Sequence, residues 1–278
     1  FRINYENPQN LIYMRLLEAL EVAFGIKAQE CSRETMLDYR SYINNFKFYW
    51  VLYGDVHFRL EDFKKRQALR YLDFLLLEKK HEAITRNNNL RGMKVIFNVL
   101  TEREYISDNP FVGIKPLKVK KKRRKVFSRT ETKIIMNYVK STDEDLLLAI
   151  SFCYYCAMRR TEMRKLKIEN IDLDKGLIFL DGTQTKNREL GSITLTQHFL
   201  EHLKEIRIKK YPAHYYVFGK NMKPGAKPCS TNTIPDRHRA MIRKLYKFGL
   251  LTDIEGKTFY SWKDTAARDM IEEGVSAP

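Results

Sequence analysis

The sequence predicts a mainly α-helical protein with a small antiparallel β-sheet, built as a helical N-terminal domain and a mixed α+β C-terminal domain. Apolar residues recur at helical spacing over most of the chain, whereas residues 177–195 alternate and turn. A basic stretch near residue 120 separates the two halves. With 278 residues, the chain is long enough for two domains that each bury a core.

The composition is that of a globular protein, with 44% hydrophobic and 31% charged residues. Because no run of about 18 apolar residues occurs, we expect no membrane-spanning helix. The four scattered cysteines do not form a disulfide framework, and they predict a reducing, cytoplasmic setting. The glycines form no phosphate-cradling loop, which argues against nucleotide hydrolysis.

The N-terminal half contains four helical segments. They are predicted at residues 11–25, from Ser32 onwards, at residues 61–79, and from near Thr85. Ser32 is a predicted N-cap, since a serine side chain there can accept the backbone N–H of the third helical residue. Asn109-Pro110 ends helix formation, because proline disfavours a helical residue before it.

We divide the chain into four parts. Residues 1–25 form a partial N-terminal segment, 26–108 a helical domain, 109–128 a basic linker, and 129–278 the mixed domain. The net charge is +17, and residues 107–130 alone contain nine Lys and Arg against one Asp. Such focused positive charge predicts contact with a polyanion, namely the phosphate backbone of a nucleic acid. A solvated linker or a localisation-like run remains an alternative.

The C-terminal domain is predicted to be helical around one short sheet. Asp181-Gly182 and Lys186-Asn187 mark turns between β-prone runs inside residues 177–195, which indicates a small antiparallel sheet. Helices are predicted, in chain order, at residues 129–140, at 143–157, from Thr161, at 197–210, at 232–249 and at 263–273.

Three segments carry candidate chemistry. Arg159 precedes a helix start, and Glu162, three residues on, can hold the guanidinium in one pose for a phosphate. Lys186 sits at a predicted hairpin tip, where it could donate a proton to a leaving oxygen. Tyr260 and Lys263 follow an aromatic cluster at a helix start. Taken singly, the Arg159–Glu162 spacing is equally compatible with a surface ion pair, and Lys186 by itself is better explained as a solubilising turn residue.

In this order, these segments resemble the tyrosine recombinase (phage integrase) family, especially integrases of bacterial mobile elements. Ala157-Met158-Arg159-Arg160-Thr161-Glu162 is similar to the family's Gly-Leu-Arg-x-x-Glu, and Lys186 to its β-hairpin lysine. Tyr260-Ser261-Trp262-Lys263, before Gly274-Val275, stands where the family has His-x-x-Arg. Thr85 with Asn87 and Asn88, and the closing Asn109-Pro110-Phe111, resemble the family's core-binding domain.

The resemblance implies DNA strand exchange without a metal or another cofactor. A tyrosine would attack a phosphodiester, forming a 3′-phosphotyrosine and freeing a 5′-hydroxyl. Arg159 would neutralise the phosphate with help from Lys263, Lys186 would be the general acid, and Tyr260 a hydrogen-bond donor. Glu162 would hold the arginine helix. DNA contacts are expected from Thr85, Asn87, Arg91, Lys118, Lys120, Lys121, Lys122, Arg123, Arg124 and Arg188.

In the family, the nucleophilic tyrosine follows the last of these helices by a few tens of residues, so we expect it beyond Pro278. The implied partners are double-stranded DNA and further copies of the chain, as a homotetramer on paired sites. An accessory DNA-bending protein is a third partner that the resemblance allows, and bacterial cytoplasm at the nucleoid is the implied location. A DNA-binding regulator without cleavage, and a type IB topoisomerase-like relaxing enzyme, remain alternatives.

Two patterns in the sequence resemble metal-binding motifs, but we do not expect either of them to bind a metal. Cys153-x-x-Cys156 lies in an apolar helical segment without a second cysteine pair, so we expect buried packing. His198 and His202 match an inverted zinc-protease pattern, but we expect a surface pair beside the helix's core stripe.

Overall fold

The computed structural model describes residues 14–119, 124–182 and 190–274. Contacts between Cα atoms divide the chain into two compact units, residues 1–121 and 122–278. Each unit has its own hydrophobic core. In the described residues the chain is mostly helical with a three-stranded antiparallel sheet, which confirms the predicted fold class. No helix within these ranges is long and apolar enough to cross a membrane.

The helices of the N-terminal unit lie close to the predicted segments. They are α1 (Leu16–Lys27), α2 (Arg33–Tyr53), α3 (Lys65–Leu77) and α4 (Ala83–Glu102). The predicted N-cap is confirmed, since the Thr35 N–H donates to the Ser32 hydroxyl oxygen at 3.3 Å. Helix α1 continues two residues past its predicted end at Gly25. Helix α3 starts four residues later than predicted, because a short 3₁₀ turn, Leu60–Asp62, precedes it.

An aromatic cluster forms the centre of this unit. The Phe46 ring lies 5.6 Å from Trp50 and 5.0 Å from Tyr71, measured between ring centroids. Stacked and edge-on rings at these distances stabilise a core beyond the area that they bury. Helix α1 belongs to the same core through Leu16, Ala19, Leu20 and Ala23, although the sequence placed residues 1–25 in a separate segment.

Helices α2 and α4 approach closely at Gly92. A Cβ atom at position 92 would lie 2.0 Å from Cδ2 and 2.8 Å from Cγ of Tyr42. Both atoms belong to the rigid ring, so the side chain has no flexible end that could move away cheaply. Glycine is a poor helix former, yet here it leaves room for a neighbouring aromatic ring.

Gly92→Ala is expected to lower the free energy of unfolding of the N-terminal unit by about 1–2 kcal/mol, because overpacking outweighs the gain in helix propensity. Gly25→Ala is the matched control in helix α1. A Cβ there meets nothing within 4 Å, so this variant should be up to about 1 kcal/mol more stable. Urea unfolding followed by Trp50 fluorescence, with Trp262 replaced by Phe, measures both. Equal shifts in the two variants would contradict the steric explanation.

Both ends of the predicted linker are attached to a unit. On the N-terminal side, Phe111 is buried, and the Asn109 side-chain amide donates to the Lys94 carbonyl at 2.8 Å. On the C-terminal side, Phe127 is fully buried and the Lys125 ammonium contacts Asp253 at 2.8 Å. Each end of the predicted linker is therefore attached to the unit that it adjoins.

The C-terminal unit places a small sheet among helices. Its helices are α5 (Arg129–Thr142), α6 (Glu144–Tyr155), α7 (Arg160–Lys165), α8 (Gln197–Glu205), α9 (Thr233–Lys247) and α10 (Ser261–Glu272). Strands β1 (Ile171–Asp172), β2 (Leu177–Leu180) and β3 (Gly191–Thr194) form an antiparallel sheet in the order β1-β2-β3, with Ile178 opposite Ile193. Helix α8 ends five residues earlier than predicted, because the chain turns at Arg207 with a left-handed φ of 51°.

Helix α6 crosses the centre of this unit and packs against α5, α9 and α10. Trp262 of α10 is fully buried there, and its indole N–H donates to Nε2 of His238 at 3.0 Å. Cys153 and Cys156 are buried free thiols, as predicted, and burial raises the pKa of each to about 12. Such thiols are inert packing groups at neutral pH.

Candidate active site

Residues 156–160, here called the arginine loop, comprise the connection between helices α6 and α7 and the first residue of α7. Met158 is fully buried and anchors the loop in the core, while Arg159 directly precedes the first residue of α7. Arg159 has an extended backbone, with φ −77° and ψ 151°, as is typical of the residue before a helix. The loop therefore presents the Arg159 side chain at a helix start.

Glu162 holds Arg159 through two contacts. One carboxylate oxygen accepts the Arg159 backbone N–H at 2.7 Å, and the other accepts the guanidinium Nη1–H at 2.8 Å. The Glu162 side chain is 6% exposed, whereas the Arg159 side chain is 49% exposed. A buried carboxylate thus fixes a guanidinium that is still open to solvent, an arrangement suited to binding an anion.

The start of helix α10 contacts the same loop at two backbone groups. The Arg160 N–H donates to the Tyr260 hydroxyl oxygen at 3.0 Å. The Lys263 ammonium donates to the Ala157 carbonyl at 2.8 Å. Tyr260 uses an oxygen lone pair here, and its own O–H proton takes no part in that bond. The structure therefore brings Arg159, Glu162, Tyr260 and Lys263 together around one loop.

Ala157 has a backbone conformation that disfavours its side chain. Its φ is +48°, in the left-handed region where a Cβ atom costs about 1–2 kcal/mol. The corresponding position in the family's motif is glycine, which adopts this conformation without steric strain. That difference was the one sign in the sequence of a special backbone conformation at this place.

Ala157→Gly is expected to raise the free energy of unfolding of the C-terminal unit by about 1 kcal/mol, because relief of strain exceeds the added entropy of the unfolded chain. Ala267→Gly, at an exposed position inside α10, is the matched control and should destabilise by about the same amount. Urea unfolding followed by Trp262 fluorescence, with Trp50 replaced by Phe, compares the two. A loss of stability in both variants would contradict the prediction.

Arg124, which was predicted as a DNA contact of the basic linker, lies beside Tyr260 and binds helix α10. Its guanidinium binds Asp264 with two contacts, at 2.6 and 3.2 Å, and its central carbon lies 5.7 Å from the Tyr260 ring centroid. The Asp264 carboxylate raises the pKa of Arg124 above its ordinary value. Asp264 was not among the predicted residues, since its position beside Lys263 carries no signal of a partner far along the chain.

The two predicted residues between β2 and β3 and most of the predicted basic run lie outside the described residues. Lys186, the predicted general acid, and Arg188 lie outside the described residues, as do Lys120, Lys121, Lys122 and Arg123. Lys118 is described and is exposed. The predicted roles of all these residues remain predictions.

In the N-terminal unit, the side chain of Asn87 is bound within the protein. Asn87, predicted to contact DNA, is 7% exposed, and its amide donates to the Leu117 carbonyl at 2.8 Å and accepts the Leu117 N–H at 2.9 Å. Asn87 therefore ties the linker at Leu117 to helix α4, because its amide oxygen and its amide N–H bind both polar groups of one backbone residue. On the same helix, Arg91 is exposed and contacts the side chain of Asn88, and Thr85 is half-buried.

The histidine pair of helix α8 belongs to no cluster of candidate metal ligands among the residues that the structure describes. His198 is exposed and His202 is half-buried, and burial lowers the pKa of His202 below its usual range. Within the described ranges, no group of three or more His, Cys, Asp or Glu side chains could hold a metal ion.

Comparison of sequences relates the chain to integrases. The model of the phage integrase family matches residues 125–278. The prophage integrase IntR of Escherichia coli K12 is 29% identical over 145 residues, which cover 49% of this chain and 34% of IntR. The tyrosine recombinase XerC of Lactobacillus leichmannii is 25% identical over 176 residues, covering 61% of this chain and 58% of XerC. The chain thus spans well under two thirds of the length of each relative.

Solved structures show the same fold. A lambda integrase dimer bound to a COC′ core site superposes with a TM-score of 0.70 at 18% identity, covering 97% of this chain and 75% of the integrase. The Tn1549 transposon integrase in complex with transposon right end DNA gives a TM-score of 0.74 at 13% identity, with coverages of 95% and 88%. Because the family model matches more than half of the chain, and the arginine loop lies within the matched residues, the chain belongs to the phage integrase family.

Proposed function

We propose that this protein is a site-specific DNA recombinase that cuts and rejoins duplex DNA through a 3′-phosphotyrosine, for integration or excision of a mobile element. The main observation behind this proposal is the environment of Arg159. Its side chain is half exposed, yet its Nη1 atom lies 2.8 Å from a carboxylate oxygen of the buried Glu162. An ion pair that served only packing would not need one buried partner and one open partner. Membership of the phage integrase family supports the proposed reaction type.

In the proposed reaction, a tyrosine oxygen bonds to the scissile phosphorus and the bond from phosphorus to the 5′-oxygen breaks. Negative charge grows on the non-bridging oxygens, and the guanidinium N–H groups of Arg159 that point away from Glu162 would stabilise it. Because Glu162 fixes the guanidinium beforehand, little reorganisation is needed as the charge develops. Lys186 is the proposed donor of a proton to the leaving 5′-oxygen.

The proposed substrate is double-stranded DNA, bound largely through phosphates. The net charge of +17 favours a polyanion, and Arg91, Lys118 and Arg124 are exposed cations that could contact its backbone. We assign helix α1 together with residues 26–108 to a core-binding domain, 109–128 to a linker along the DNA, and 129–278 to the catalytic domain. Assembly as a tetramer on paired sites is part of the proposal, since a lambda integrase forms a tetramer on a Holliday junction.

The test is covalent trapping. The full-length protein is incubated with a junction DNA of the element that encodes it, nicked beside the presumed site so that the released strand diffuses away. A protein–DNA adduct that survives denaturation is expected, and mass spectrometry of the adduct identifies the attacking tyrosine. Tight binding to that DNA without an adduct would overturn the proposal and favour a regulator that occupies recombination sites. Relaxation of a plasmid without such sites would favour a topoisomerase-like enzyme.

A further inference from the structure

Every described backbone contact of the arginine loop leads to one of three places. The N–H groups of Cys156 and Met158 reach the Phe152 carbonyl, at 3.3 and 3.4 Å, at the end of helix α6. The Arg159 N–H binds Glu162 inside the loop's own helix, and the Arg160 N–H binds Tyr260. The Ala157 carbonyl binds Lys263. The start of helix α10 therefore binds the loop at Ala157 and at Arg160, on either side of Met158 and Arg159.

The backbone of the arginine loop is strained at Ala157, the residue whose carbonyl binds Lys263. Alanine at a φ of +48° is disfavoured by about tenfold or more relative to ordinary backbone conformations. A loop that left this conformation would rotate the Ala157 carbonyl and shift Arg159, two residues on. An ammonium group bound to that carbonyl at 2.8 Å opposes the rotation, because a charged donor makes a stronger hydrogen bond than a neutral one.

We propose that Lys263 is a positioning residue: by binding the Ala157 carbonyl, it holds the arginine loop in the strained conformation that presents Arg159 to the phosphate. This inference rests on the proposed function. It differs from a direct phosphate contact, the role expected from the sequence. A lysine suits the task, since its point-like ammonium fits a single carbonyl acceptor, whereas the planar fork of arginine matches the paired oxygens of a phosphate.

The proposal predicts that Ala157 and Lys263 are coupled. If the lysine only offsets the strain at Ala157, a glycine there should make the lysine largely dispensable, because glycine adopts the same conformation without its help. If the lysine instead neutralises the phosphate, its removal should be equally harmful with alanine or glycine at position 157. A double-mutant cycle separates the two cases.

The experiment measures the single-turnover rate of adduct formation with saturating suicide DNA, in full-length protein. We expect Lys263→Met to slow the reaction about tenfold with Ala157 present, and less than about threefold in the Ala157→Gly background. DNA affinity is expected to change little in either. Lys133→Met, which removes an exposed lysine of helix α5, is the control for loss of one positive charge. Melting curves confirm that each variant is folded at the assay temperature.

Equal slowing by Lys263→Met in the two backgrounds would overturn the proposal, and so would the absence of any slowing with Ala157. If Lys263→Met does not fold, Lys263→Gln replaces it in the same cycle, because its amide removes the charge and retains polarity. The proposed function fails separately, when the unmodified protein itself forms no adduct.

Discussion

Arg159→Ala is expected to lower the rate of covalent DNA cleavage by about 10²–10³-fold, the usual cost of removing one preorganised transition-state donor. DNA affinity should fall only severalfold, because one cation among the many that produce a net charge of +17 contributes little to binding. Adduct formation on suicide DNA and equilibrium binding, measured on the same preparations, give both quantities. A loss of cleavage rate much larger than the loss of DNA affinity would show that Arg159 acts in the reaction.

The chain contains a matched control for this variant. Arg239 forms an i,i+3 pair with Asp236 at 2.8 Å, the spacing and distance of the Arg159–Glu162 pair, but both of its side chains are exposed. Arg239→Ala should therefore leave the cleavage rate at saturating DNA within about twofold, as expected for an exposed pair. Similar losses of cleavage in the two variants would show that the burial of Glu162 has no importance for the reaction.

Folding is monitored alongside, because Arg159→Ala leaves the buried Glu162 carboxylate without its cation. Breaking such a pair by removing one partner is destabilising. Glu162→Gln gives a second view, since the amide oxygen still accepts one hydrogen bond and leaves no buried charge. We expect this variant to cleave more slowly than the unmodified protein and faster than Arg159→Ala. Loss of folding in both variants would mark the pair as structural.

Acidification from about pH 7 to about pH 5 is expected to destabilise the C-terminal unit by about 2 kcal/mol through His238 alone. The ring is 1% exposed, lies among Phe127, Phe259 and Trp262, and accepts the Trp262 indole N–H. Burial, with the nearby charge of Arg239, lowers the pKa of His238 to about 3. The folded protein thus keeps the ring neutral where an unfolded chain would protonate it.

The sign follows from the direction of that pKa shift. The stability contributed by neutral His238 is complete above the unfolded pKa of about 6.5 and is lost as the pH falls towards about 3. Carboxylates with lowered pKa values, such as Glu131 and Asp253, lose their contributions only below about pH 4.5. The interval between about pH 6.5 and pH 5 therefore excludes these carboxylates, and a comparison with a His238 variant separates His238 from His202, whose pKa burial also lowers.

His238→Gln is the control, because glutamine stays neutral at every pH and its amide oxygen can accept the Trp262 N–H. Urea unfolding at about pH 7 and about pH 5, followed by Trp262 fluorescence with Trp50 replaced by Phe, measures the free energy of unfolding. We expect the glutamine variant to be somewhat less stable at the higher pH, with a much flatter pH dependence. The same pH dependence in both proteins would assign the acid sensitivity to other groups.

Local patterns predicted most of the secondary structure. Helix α5 begins at its predicted residue, Arg129, where the Ser128 hydroxyl accepts the Glu131 N–H and the Glu131 carboxylate accepts the Ser128 N–H. The ends were less accurate, as in α8, whose apolar pattern continues past Glu205 although the backbone turns left-handed at Arg207. A hydrophobic pattern indicates which face of a helix is buried. It does not indicate the residue at which a change of backbone angle ends the helix.

Sequence patterns predicted the helices, the small sheet and the Arg159–Glu162 pair, because each depends on residues a few positions apart. Two long-range contacts are visible only in the folded chain: Lys263 binds Ala157, 106 residues away, and Arg124 binds Asp264, 140 residues away. The same structure shows that the amide of Asn87, which was expected to contact DNA, binds the backbone of Leu117, 30 residues away. Such pairings follow from how a folded chain satisfies its buried and half-buried polar groups, and no local pattern encodes which distant partner will be within reach.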